Sequence, residues 1–517
     1  MYKRQILHRD DLLGFSGREL LRRLKPTIMG RGRYVPTAGG FRPYVHLDNA
    51  ASTPTFRAVW RAVRQAWRLP EDRQAELVAA VRSQCAGFFG APAERYDVIF
   101  TSNTTEAINL AAKALLRTPA PGPDADGEPV VLNTLAEHNS NELPWRFAEG
   151  VSLIRTPTDA EGFPDLHEME RLLREYNEEG THGPKRIRIV AVSGASNVLG
   201  ACPDLCAIGR IAHRYGALVF VDAAQLAAHR PIRMAAEGLD GLAFSGHKMY
   251  APFGSGGLIL RKGLWPAGNR AFEAACESGD ENIAGIAALG KAIDLLERIG
   301  MDVIREEEQR LTRAALRELA AVPGIRLYGI ADPYSPRIAR RLGVISFGLK
   351  HVPYNLAAQE LAETAGLGVR TGCFCAHILV KRLMGIHPAR EALSNLGLKF
   401  APRLTKSVLP GLVRVSFGLG NEESDVRRLA RALARIAGRR PSPAMRLVAK
   451  LHNATPNLPS TETRRRMREA MERQALSVFS GAPAASERDR RRAPAFLAWD
   501  PAKGISLFGR PCCCRKL

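Results

Sequence analysis

Two short apolar runs, each ending in chemistry-bearing residues, constrain this chain more than any other feature. Leu218 to Val221 is wholly apolar and runs into Asp222-Ala223-Ala224-Gln225. Leu242 to Phe244 runs into Ser245-Gly246-His247-Lys248. Short apolar runs without alternation read as parallel strands buried on both faces. In open α/β sheets, ligands sit beyond the carboxyl ends of the strands. Both polar clusters are therefore expected to face one crevice.

The surrounding pattern extends this sheet. Val98 to Thr101, Val130 to Asn133 and Ile187 to Val192 are also strand-like, with helical stretches between several of them. That alternation predicts an α/β fold, a large mostly parallel sheet covered by helices. Beyond Asn282, a helical pattern from Ile286 to Leu319 leads into a smaller α+β region. There, Val344 to Gly348 and Val413 to Phe417 read as strands, and Ser424 to Ile436 as a helix capped by Ser424. The expected division is a basic N-terminal extension over 1–40, weakly helical near Leu12 to Leu24 and broken at Gly39-Gly40. A large domain over 41–285 follows, then a small α+β domain over 286–440 and a basic, partly disordered tail over 441–517. One tail helix is expected over Glu462 to Leu476.

No run of eighteen apolar residues exists, so no membrane span is expected. The basic start, Met1-Tyr2-Lys3-Arg4, lacks the apolar core of a secretory signal, and a cytoplasmic setting is expected. The formal charge of +22 raises the question of nucleic acid. The excess is arginine scattered over helices, such as Arg427, Arg428, Arg431 and Arg435, with no zinc-finger, RNP-like or helix-turn-helix signature. It reads as a solvated basic surface, without nucleic acid or membrane as partner. Nine cysteines in so long a chain are no disulfide framework. Cys202 and Cys206 lack a second ligand pair, so no metal is expected.

An acid at one strand end and a lysine at the next suit pyridoxal 5'-phosphate. That cofactor needs a carboxylate on its ring nitrogen and an amine to form a Schiff base. The phosphate would need backbone N–H groups and hydroxyls at a helix start. Thr101-Ser102-Asn103-Thr104-Thr105-Glu106 offers them, before the apolar stripe of Ile108, Ala111, Ala112 and Leu115. By itself this stretch is only a good capping sequence. Asp222 likewise reads as a helix cap for Ala223 to Ala228 as well as a ring partner.

Three segments in order carry a resemblance: Ser196-Asn197-Val198-Leu199-Gly200, then Val221-Asp222-Ala223-Ala224-Gln225, then Ser245-Gly246-His247-Lys248-Met249-Tyr250-Ala251-Pro252. From about Val45 to about Ile436 the chain resembles the class V aminotransferases, within them the cysteine desulfurase and selenocysteine lyase group. The resemblance implies the aspartate aminotransferase-like type I fold and a homodimer. It makes Lys248 the cofactor lysine and Asp222 the partner of the ring nitrogen. Gln225 and Asn197 would contact the phenolic side of the ring. Thr104, Thr105, Ser245 and His247 would hold the phosphate, and His138 would stack on the ring and move protons.

Arg370-Thr371-Gly372-Cys373-Phe374-Cys375 matches the R-T-G-x-x-C pattern of the desulfurases, with Cys375 as the thiol that takes sulfur from the substrate. Cys373 and Phe374 replace the histidine pair frequent in that group, and the segment is similar to molybdenum-cofactor sulfurases. Arg414 matches the arginine that clamps the substrate carboxylate, with Arg370 as a second clamp. Gly279-Asp280-Glu281-Asn282 departs from the relatives' phosphate-contacting loop at the dimer interface, and Pro70-Glu71-Asp72-Arg73 departs from their substrate loop. The implied activity is removal of sulfur from L-cysteine, or selenium from selenocysteine. It gives alanine through an enzyme persulfide, with a small amino acid as substrate and a sulfur-acceptor protein as partner. The alternative is a class V aminotransferase, epimerase or C–S lyase that uses no cysteine nucleophile.

Overall fold

The computed structural model describes residues 6–116, 127–265, 281–386 and 411–439. The tail, its cysteines Cys512 to Cys514, and Gly279-Asp280 lie outside the described residues. Seven strands build the large sheet: β1 (Tyr96–Thr101), β2 (Glu128–Thr134), β3 (Ser152–Thr156), β4 (Lys185–Ser193), β5 (Leu218–Asp222), β6 (Gly241–Ser245) and β7 (Gly256–Arg261). Their spatial order is β1-β7-β6-β5-β4-β2-β3. Every pairing is parallel except those of β7, which runs antiparallel to both β1 and β6. The expected strands are all present, and two further ones join them, β3 at the edge and β7 between β1 and β6.

Strand β7 was hidden because it opens with Gly256-Gly257, residues that weaken a strand reading. Packing explains the glycines. A Cβ on Gly256 would sit 2.5 Å from the Phe244 carbonyl oxygen and 2.9 Å from the Asn103 α-carbon. The absence of side chains lets the first turn of α1 (Thr104–Leu115) lie directly against the strand that follows the lysine.

The smaller sheet has four antiparallel strands, β8 (Ile325–Leu327), β9 (Val344–Leu349), β10 (Arg370–Gly372) and β11 (Leu412–Ser416), in the order β8-β9-β11-β10. The single expected helical stretch over Ile286 to Leu319 is two helices, α2 (Ile283–Ile299) and α3 (Met301–Ala320), divided at Gly300 with φ +84°. Helix α2 belongs to the large core, whereas Leu311, Ala315, Leu316 and Leu319 of α3 belong to the small one. The change of core therefore falls within α3 rather than at 285. Helix α4 (Glu423–Ala437) is capped by Glu422 in a reciprocal box with Asp425, not by Ser424. Ala223 to Ala228 forms turns rather than the expected helix.

Two buried ion clusters tie the parts together. Glu308 of α3 accepts from the Arg230 guanidinium at 2.5 Å and the Gly343 N–H at 2.9 Å, and lies 2.8 Å from His229 Nδ1. It joins the large core, through His229 and Arg230, to the entry of β9. In the second cluster, Lys291 of α2 is 1% exposed. Its ammonium donates to the Leu7 carbonyl at 2.9 Å, Asp10 at 2.5 Å and Asp294 at 2.9 Å. Residues 6–24 thus pack on the large core, with Ile6, Leu7, Leu20, Leu21 and Leu24 buried. The hairpin Tyr34–Thr37 with Gly40–Pro43 turns at the expected glycine break.

Candidate active site

Strands β5 and β6 are parallel neighbours, so their ends lie side by side, with Asp222 opposite Ala243 in register. The single turn Gly246–Lys248 follows β6 and turns the lysine back toward Asp222. The Gly246 N–H donates to the Ser255 carbonyl at 2.8 Å, and a Cβ there would meet the Ser255 hydroxyl at 2.7 Å. Only glycine fits this approach. The His247 carbonyl accepts from the Thr53 N–H at 2.8 Å and the Ser52 hydroxyl at 3.1 Å, which pins the loop to the segment after Asp48.

Burial sets the protonation states here. It pushes the Lys248 ammonium down to about 8, with Asp222 pulling the other way and Arg414 adding to the fall. Burial raises the Asp222 carboxyl, and Lys248 and the Ala224 N–H partly offset that rise. The N–H lies 2.9 Å from Asp222 Oδ1. His247 is driven down to about 3 by burial and by Lys248, so it is a neutral imidazole over the working range. A lysine with its ammonium lowered is the amine that can attack a carbonyl.

At the start of α1, Asn103 caps the helix by accepting the Glu106 N–H at 3.0 Å. Thr104 is buried, and its N–H and hydroxyl both meet the Ser245 hydroxyl at 2.7 Å. The Thr105 hydroxyl meets that of Ser140 at 2.8 Å. Threonine and serine hydroxyls from the α1 turn, the lysine strand and the segment after His138 therefore meet at one helix N-terminus, which favours anions. Gln225 donates to the Ala50 carbonyl at 2.7 Å. His138 accepts the Ser140 N–H on Nδ1 at 3.1 Å, directly after Glu137. The Glu137 carboxyl is buried and accepts from Thr134, Asn141 and Ser193 at 2.6 to 2.8 Å. Burial raises it to about 6 despite these donors.

Arg414 lies in the middle of β11 and is 3% exposed. It donates to Asp48 at 2.6 Å and to the Asn197 carbonyl at 3.0 Å, while its buried Nε has no protein partner. Sequence reading did not single out Asp48. Its bridge to Ser416 beside β11 is a long-range pairing with no local signal. Across the strand pair, Arg370 stands directly opposite Arg414 in register. Like charges at opposed positions are unfavourable unless an anion lies between them. The orphaned Nε and this pairing both suit a carboxylate ligand.

The thiols sit on a strained turn. Cys373-Phe374-Cys375-Ala376 is closed by the Ala376 N–H on the Cys373 carbonyl at 2.9 Å. Its two central residues both have positive φ, +54° at Phe374 and +56° at Cys375. Non-glycine residues held there cost on the order of 1–3 kcal/mol each and need surrounding structure to enforce them. That enforcement is visible. Asn139 N–H donates to the Cys375 carbonyl at 2.7 Å, and Asn197 Nδ2 to the Phe374 carbonyl at 2.7 Å. The Phe374 ring is buried against Ala136, Val198 and Leu379, under the Arg414 guanidinium at 4.9 Å. Asn197, expected on the ring of the cofactor, thus holds the thiol turn by its side chain and Arg414 by its carbonyl.

Cys375 couples by charge to Lys248 and to Arg414. Burial and the neighbouring Cys373 push the Tyr354 phenol up to about 12. The expected site residues Lys248, Asp222, Cys375 and Arg414 thus come together electrostatically. The departing loop is also accounted for in part. Glu281 pairs with Arg82 at 3.0 Å, and Asn282 caps α2 while donating to the Phe253 and Gly254 carbonyls.

The buried acid facing a lysine, the hydroxyls at the α1 start and the glycine-lined approach of β7 fit pyridoxal phosphate. Residues 45–429 match the family profile Aminotransferase class-V. A cysteine desulfurase of Dickeya dadantii is 31% identical over 430 residues, spanning 76% of this chain and 92% of that protein. A probable cysteine desulfurase of Methanothermobacter thermautotrophicus is 32% identical, spanning 77% and 96%. Among solved structures, the cysteine desulfurase CsdA (S-sulfonic acid) from Escherichia coli superposes with a TM-score of 0.60 at 26% identity, covering 75% of this chain and 94% of that one.

Proposed function

The chain belongs to the class V aminotransferase family, and from that premise we propose that it is a pyridoxal-phosphate-dependent cysteine desulfurase. One observation carries the reading: the turn that holds Cys375 is bonded to Asn139 and Asn197 and lies under the Arg414 guanidinium at 4.9 Å. An aminotransferase needs the lysine and the arginine but no thiol beside them.

Bound in this crevice, the cofactor supplies an electron sink that eases loss of a proton from the substrate α-carbon. The residues supply the rest. Lys248 Nζ, neutral above about pH 8, carries the group and takes up or returns the α-proton. Asp222 keeps a proton on the ring nitrogen by its buried negative charge. Arg414 Nε and Arg370 receive the substrate carboxylate, while Asp48 fixes the Arg414 plane. His138, positioned by its bond to the Ser140 N–H and adjacent to Asn139, which holds the thiol turn, moves protons at the substrate. The Cys375 thiolate attacks the substrate sulfur. The carbon–sulfur bond breaks, the carbon takes a proton, alanine leaves and Cys375 keeps the sulfur as a persulfide. The reading includes a homodimer and a protein that accepts the sulfur, as the resemblance implies, together with the cytoplasmic setting expected from the basic start of the sequence.

Anaerobic turnover of L-cysteine, scoring alanine and enzyme-bound sulfur together, tests it. Equal amounts of both are expected in the first turnover, and Cys375→Ser should lose both. A Cys375→Ser protein that still releases alanine from L-cysteine at the parent rate would refute the role of the thiol.

A further inference from the structure

The turn that carries Cys375 carries a second thiol. Two trans-peptide links of about 3.8 Å limit the separation of the Cys373 and Cys375 α-carbons, and a closed turn shortens it further. Sulfurs on α-carbons about 4.4 to 6.8 Å apart can reach each other. Both cysteines are part-exposed and neither is in a disulfide, whereas Cys85 and Cys202 are buried. The turn lies under the Arg414 guanidinium at 4.9 Å and takes the Asn139 N–H, next to His138, on the Cys375 carbonyl. Cys373, two residues earlier, packs beside Ala136, Val198 and Leu379. A sulfur held on Cys375 lies among the residues that bind substrate. An acceptor would have to enter that same space to collect it.

Resting on the desulfurase reading, we propose that Cys373 is a second sulfur carrier, which takes the outer sulfur of the Cys375 persulfide and passes it to the acceptor. The Cys373 thiolate attacks the outer sulfur and a new sulfur–sulfur bond forms on Cys373. The old sulfur–sulfur bond breaks, and Cys375 leaves as a thiolate. One thiolate and one persulfide enter and one of each emerge, so no oxidant, reductant or extra proton is required. The turn that carries the leaving Cys375 sulfur lies under the Arg414 guanidinium, which is charged at any working pH. A stabilised leaving thiolate speeds thiol–disulfide-type exchange. The same step readies Cys375 for another substrate. The strained turn has a role in this account: with Phe374 and Cys375 both at positive φ, it holds two thiols two residues apart in one closed turn.

The test is a single turnover of the cofactor-loaded enzyme with limiting L-cysteine, without added thiol and without oxygen. Acid quench, alkylation and fragment-ion mass spectrometry of the peptide containing both cysteines then locate the persulfide. The parent should show it first on Cys375 and later on Cys373. Cys373→Ser and Cys373→Ala should load Cys375 but hand its sulfur to dithiothreitol at least tenfold more slowly than the parent, and Cys375→Ser should load neither position. A persulfide that stays on Cys375 in the parent, with parent-like transfer by both Cys373 variants, overturns the relay. So does a Cys373–Cys375 disulfide formed with release of sulfide, since that is attack on the inner sulfur. Loading of Cys373 in Cys375→Ser overturns the order of the two thiols. A parent that forms no alanine from L-cysteine removes the desulfurase reading, and the relay falls with it.

Discussion

The lysine loop and the thiol turn face each other across one crevice and are built on opposite principles. Lys248 follows a buried parallel strand, and glycines at 246, 256 and 257 make room for tight backbone contacts around it. Its position follows from sheet geometry, and the strained residue of this loop, Tyr250 at φ +66°, lies two positions beyond the lysine. Cys375 sits in a turn whose backbone prefers glycine at both central positions, yet has Phe374 and Cys375 there. Its position is held from outside by Asn139 and Asn197. The difference suggests a division of labour: the sheet fixes the backbone that carries the lysine, and a strained turn fixes the group that must react, load and discharge.

Breaking the first half should have the largest effect. Lys248→Ala is expected to abolish any borohydride-reducible link to pyridoxal phosphate, read as loss of covalently retained cofactor by mass spectrometry. Retention of a reducible link would move the role to another amine. Breaking the tether of the second half should leave the first intact. Asn197→Ala removes the donor to the buried Phe374 carbonyl, at a cost of about 1–3 kcal/mol. Persulfide formation should slow by about tenfold or more while the reducible link to Lys248 survives. Equal loss of both would make Asn197 a cofactor residue first.

Acid should act on the joint between the halves. Burial raises the Glu308 carboxyl, but His229 and Arg230 outweigh it and hold it down to about 2, against 4.5 ordinarily. The stability it contributes is complete above pH 4.5 and is lost as pH falls toward 2, about 3 kcal/mol in all. Urea unfolding at pH 5 and pH 3 should show this fall, and Glu308→Gln should be weaker at pH 5 and flatter between the two. The smallest effect tests strain alone. Cys375→Gly should be more stable than Cys375→Ala by up to about 1 kcal/mol, because only glycine rests easily at φ +56°. Neither variant keeps the thiol, so the comparison isolates the backbone. Equal midpoints would mean the turn is not strained.

This contrast also explains what the sequence revealed. Strands β5 and β6 and the helix start at Thr104 were legible because apolar runs and capping residues are local signals. Strand β7 was not, since its glycines answer to Phe244 and Asn103 in neighbouring elements. Arg414 was visible as a charge within an apolar strand, but its partner Asp48 lies 366 positions away. Glu308 was unremarkable among the acids of α3 and acquires its role only where His229, Arg230 and Gly343 converge. The positive φ values at Phe374 and Cys375 left no trace in residue type, because the chain has no glycine there.

The buried seat of Lys291 has a consequence for how the chain is made. Asp10, its partner, precedes it by 281 residues. At about 5–20 residues per second, a ribosome needs roughly a quarter of a minute to a minute to cover that distance. Throughout that interval, the apolar face of Leu20, Leu21 and Leu24 has no helix α2 to cover it. The segment 6–24 therefore becomes native only once α2 has emerged, long after the segment itself is made. During synthesis, it is a natural handle for a chaperone.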